Sequence, residues 1–115
     1  MTFGTTVIEY GFNAVIASSG TTSAAVDLKN LQLLGVIIPS AVTGTAFTLT
    51  MSKEIAGTYV TVQDGEGADY SPAMAASKYI PITPLPLSRG LRFIKIVSNA
   101  SEAAQRTFTL VCGEV

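Results

Sequence analysis

The chain has 115 residues, 48% of them apolar and only 13% charged, with net charge −1, mean hydropathy +0.44, no histidine and one cysteine. Seven scattered basic residues leave no cationic footprint for nucleic acid, and no stretch approaches the ~18 uncharged apolar residues of a membrane-spanning helix. Lacking histidine, the chain has no Ser-His or Cys-His nucleophile system, and the opening MTFGTTVIEYGF has neither the basic nor the compact apolar region of a secretory signal.

Residues 1–12 read as an N-terminal arm or an edge strand. Val7 to Tyr10 suits a short strand, and chain ends are loose unless tied down. A single domain follows over residues 13–115. Asn13 to Ile16 is expected as a strand, Ser18 to Ser23 as a loop, Ala24 to Leu28 as a strand and Asp27 to Asn30 as a turn. The stretch Leu31 to Ser52 organises the rest. Its first run, Leu31 to Ile38, is almost wholly apolar and rich in Val and Ile, as in a strand covered on both faces. Its second alternates: Phe47, Leu49 and Met51 take one side and Ala46, Thr48, Thr50 and Ser52 the other.

KEIAGTYV then reads as a hairpin connection, with the strand alphabet resuming over Thr58 to Gln63. DGEGAD, Asp64 to Asp69, is the most polar stretch. SPAMAAS is a loop or a single turn. Lys78 to Ile82 is a strand ending at Pro81, and PITPLPLSRG an extended crossing. Leu91 to Ser98 and Arg106 to Cys112 close the chain as strands, the first with apolar residues on both faces and a neighbour on each side. Seven to nine short strands with turn signals about every ten residues predict an all-β chain, an antiparallel β-sandwich or barrel.

The acidic residues, Glu102 among them, lie mostly in expected turns, where a solvated loop is the default. Paired carboxylates across a cleft, as a glycosidase needs, are not indicated, so the chain is read as a non-enzyme. Asp64, Glu66 and Asp69 invite a calcium reading, but the loop lacks the spacing and terminal Glu of an EF-hand, and a solvated loop is preferred. No cofactor or metal is expected. Cys112, in an apolar run, is expected buried as a small hydrophobe. The four tyrosines are spread along the sequence and read as half-buried sandwich positions, not as a sugar platform.

Charge at about half the roughly 25% of an ordinary soluble domain implies that part of the surface is covered by something else. The segment TTSAAVDLKNLQLLGVIIPSAVTGTAFTLTMS, followed by GTYVTVQD, SKYIPI and LRFIKIVS, resembles a pattern in small structural proteins of tailed bacteriophages. The resemblance covers most of the chain from about residue 13 onward and carries no functional residue. It implies a jelly-roll-like or other β-sandwich virion component: a capsid decoration (cement) protein, or a head-fibre or tail module. The expectation is a homotrimer or homodimer bound to the major capsid protein on the capsid surface. Alternatives are a fibre module binding a host glycan or receptor, and a neck or adaptor protein. Phe3, Tyr10, Phe12, Met74 and Tyr79 are the expected contact residues.

Overall fold

A computed structural model describes residues 8–82 and 90–113. Eight strands are formed: β1 (Ile8–Ile16), β2 (Val26–Asp27), β3 (Gln32–Ile37), β4 (Phe47–Ser52), β5 (Val60–Thr61), β6 (Tyr79–Pro81), β7 (Phe93–Ser98) and β8 (Arg106–Gly113). They build two four-stranded antiparallel sheets, in the orders β1-β8-β3-β6 and β2-β7-β4-β5. β1 pairs with β8, β2 with β7, β3 with β6 and β4 with β5. The chain is thus one long hairpin, turned between β4 and β5 and rolled so that β8 also meets β3 and β7 also meets β4. This is the jelly-roll form of the β-sandwich.

Period-2 alternation decides which side chains fill the space between the sheets. Phe47, Leu49, Ile94 and Ile96 of the second sheet face Ala14, Ile16, Leu33, Val36, Phe108, Leu110 and Cys112 of the first, all fully buried. β7 lies between β2 and β4, so it has a partner on each side as expected. The two outer faces differ. On the second sheet Thr48, Thr50 and Lys95 face outward, Lys95 Nζ sits 4.3 Å from the Tyr59 ring centre, and Arg92 pairs with Asp27 at 3.1 Å.

Several expectations change. β1 is continuous across the boundary placed after residue 12, so residues 8–12 belong to an edge strand of the first sheet. Leu31 to Ile38 is not covered on both faces: Leu34 is half-buried and Ile37 is 37% exposed on the outer side. β2 shrinks to two residues because Ser23 replaces strand pairing with its side chain. Its Oγ accepts the Ile96 N–H at 2.9 Å while its own N–H donates to the Ile96 carbonyl at 2.8 Å. The expected crossing after Pro81 lies largely outside the described residues.

Candidate functional site

The outer face of the β1-β8-β3-β6 sheet is apolar at one end, and two irregularities of the backbone make it so. Along β8, Cys112 opposes Glu9 on β1 and Leu33 on β3, and Leu110 opposes Phe12 and Val36. Between them, Val111 faces two residues on each neighbour: Tyr10 and Gly11 on β1, Leu34 and Gly35 on β3. A β-bulge therefore sits on either side of one residue. Bulges re-aim side chains, and these turn Tyr10 and Leu34 to the outer face beside Val111 without disturbing the inward set.

Register places Ile37 opposite Tyr79 and Gly35 opposite Pro81, which adds β6 to the same face. The result is a groove of about 400 Å³ lined by Ile8, Tyr10, Leu34, Ile37, Tyr79 and Val111. Tyr10 and Tyr79, on the two edge strands, are 59% and 50% exposed, and Ile8 is 38% exposed. Gly35 is required beneath Tyr79: a Cβ there would fall on the ring, so the missing side chain is what lets the tyrosine lie across β3. Burial, and secondarily the nearby Tyr10, hold the Tyr79 hydroxyl above its ordinary pKa.

The expected contact residues divide. Tyr10 and Tyr79 are brought together although far apart in sequence, which corrects their reading as dispersed wall residues. Phe12 points inward, half-buried against the core. Met74 is 6% exposed, and its N–H donates to the Thr45 carbonyl at 2.9 Å, so its apolar surface is already used within the chain. The correction follows from residues 73–74 lying against the start of β4. Phe3 lies outside the described residues. Ile8, Leu34, Ile37 and Val111 complete the lining without being expected contacts: alternation along RTFTLVC already sets Val111 opposite Phe108, Leu110 and Cys112, whereas nothing in the apolar letters of LQLLGVII announces the bulge that turns Leu34 outward.

A second cluster is polar and internal. Glu102, expected in solvent, is fully buried between the ends of β7 and β8. Its Oε1 accepts the Thr43 N–H at 2.7 Å and Arg106 Nε at 3.0 Å; its Oε2 accepts the Gly44 N–H at 2.9 Å and the Ser98 hydroxyl at 2.8 Å. Burial by itself raises the carboxyl pKa, but the four donors outweigh it and hold the group at about 2. With both oxygens doubly engaged it is a fastener for the β3–β4 connection, not an available base. A Cβ at Gly44 would strike the Ser98 hydroxyl, so the glycine leaves room for one of the carboxylate's donors. The pairing of Glu102 with Arg106 four residues on, and the TGT run at 43–45, were the available sequence signals.

The DGEGAD loop spends Asp64 on itself. Its Oδ1 accepts the Glu66 N–H at 2.8 Å, and Gly65 and Gly67 take φ of +88° and +89° to close the turn. Among the described residues no group of three His, Cys, Asp or Glu side chains could hold a metal ion. Cys112 is fully buried, and burial, followed by the charge of Glu9, pushes its thiol up to about 11. Comparison with family models, with curated proteins and with solved structures returned no match to the chain.

Proposed function

We propose that this protein is a non-enzymatic structural component of a bacteriophage virion, which decorates and stabilises the capsid as a homo-oligomer in which the tyrosine-walled face of its first sheet is covered. One observation carries the reading. The outer surface of that sheet concentrates Ile8, Tyr10, Ile37 and Tyr79, all large and at least a third exposed, on a chain with few charges to keep it dispersed. Apolar patches of this kind mark association surfaces, and aromatic residues are enriched at interface centres. Binding to the assembled shell in preference to free subunits stabilises the shell by mass action. The jelly roll is also frequent among viral capsid and lectin domains, an argument from analogy alone.

Purified protein mixed with empty expanded capsids should pellet with them saturably, at a copy number set by the lattice. Failure to pellet at any concentration would end the proposal. The pairing of Tyr10 and Tyr79 across one groove favours a second reading, a fibre module that stacks a sugar ring from a host glycan. That groove offers no side-chain amide or carboxylate to read sugar hydroxyls, which ranks it second. Saturable glycan binding without capsid binding would reverse the order.

A further inference from the structure

We infer that the tyrosine-walled face binds the same face of a second copy, in a two-fold dimer whose axis runs parallel to the strands and sets Tyr10 of each copy over Tyr79 of the other. The inference rests on the proposed function and assigns this face to self-contact, leaving the shell to other surfaces.

Charge argues for a second copy as the occupant. A two-fold contact sets each patch against itself, so ionic groups on it meet their own kind. Read by register, the outer-face positions of β1, β8, β3 and β6 carry no Asp, Glu, Lys or Arg. The two ionic residues of these strands lie elsewhere: Glu9 shares the inward side with Cys112, and Arg106 is tied to Glu102. The second sheet, with Lys95 outward and Asp27 and Arg92 at its edge, has no such neutral face.

Shape agrees. β1 and β6 are opposite edges of the sheet, about 14 Å apart at ~4.8 Å per strand interval. A two-fold along the strands lays the β1 edge of one copy over the β6 edge of the other, and because Tyr79 reaches inward across β3, two tyrosine pairs close over the Val111 floor at the middle of the contact. Area sets the strength. A buried aromatic side chain hides ~150–250 Å², so the two half-exposed tyrosines, with Ile8 and Ile37, leave about 350 Å² per copy to cover. That is under half of the ~800 Å² per partner of a standard interface. The dimer is therefore weak in free solution, dissociating in the micromolar to millimolar range, and firm only where a repeated scaffold holds many copies together.

Sedimentation velocity of the full chain from micromolar to millimolar concentration tests this. The expected result is a concentration-dependent monomer–dimer shift. Tyr10→Asp should weaken it at least about tenfold, because the interface centre then buries a charge, while Tyr10→Phe and Val60→Asp, the latter on β5 of the other sheet, leave it intact. Amide NMR of unmodified protein gives a reading free of folding effects: on dilution, the shifts should move along β1, β3, β6 and β8. A wild-type monomer throughout, a discrete trimer, equal weakening by Val60→Asp, or dilution shifts on the second sheet would overturn the inference. Capsid pelleting of the same sample separates the two proposals. A monomer that still binds shells ends only the dimer, and a dimer that binds none ends only the capsid role.

Discussion

Glu102 shows how one side chain fixes a connection between sheets. Its four donors come from Thr43, Gly44, Ser98 and Arg106, and removing the carboxylate strands them in a buried setting. Glu102→Gln keeps the shape but loses the ion pair and points an amide N–H at a backbone N–H. A loss of about 3 kcal/mol is expected from breaking a buried pair, measurable by urea denaturation at neutral pH. The folded-state pKa of about 2 lies below the ordinary 4.5. The carboxylate's contribution, about 3 kcal/mol at ~1.4 kcal/mol per pKa unit, is therefore fully present above the ordinary value and lost as pH falls from 4.5 toward 2. Glu102→Gln should flatten that acid limb, and an unchanged limb would show that other groups produce it. At Gly35 the backbone is not left-handed, so Gly35→Ala should change stability by less than about 1 kcal/mol. The added methyl must push Tyr79 outward, and spectrophotometric titration should then find that hydroxyl shifted back toward 10.

Among the elements, the strands with clean alternation were legible from sequence. FTLTMS and RTFTLVC sort into inward Phe, Leu and Cys and outward Thr because a two-residue period fixes the face; the exception is Ser52 at the end of β4, expected outward but buried. Elements that break the period were not. Leu34 is as apolar as its core neighbours, and only the bulge in β3 decides that it lines the outer groove, as the bulge in β1 does for Tyr10. Glu102 reads as a solvated loop residue because the Gly44 N–H that engages it is 58 positions away. The shortness of β2 has a similar origin, since Ser23 is one of many Ser and Thr residues and nothing local announces that its hydroxyl takes a strand's place. Ser23→Ala leaves the Ile96 N–H buried without that acceptor. It should cost about 1–3 kcal/mol, read as a lower melting temperature with faster amide exchange at Ile96. Exchange as slow as in the native protein would mean another acceptor steps in.

On the scale of the whole molecule, two sheets share one core but present different exteriors. One carries threonines, Lys95 over Tyr59 and the Asp27–Arg92 pair; the other carries a groove without ionic side chains. Low charge and an apolar face together are the physical basis of the proposed role in assembly. The lone thiol fits the same picture. Cys112, fully buried and held near 11, should not react with an aromatic disulfide reagent in native protein and should react fully once unfolded. The most direct measurement is a cryo-electron microscopy map of the particle with this chain located and counted. The expected map shows the chain on the capsid surface with Tyr10 and Tyr79 buried against neighbouring density. A particle without the chain, or one in which that face stands open to solvent, would contradict it.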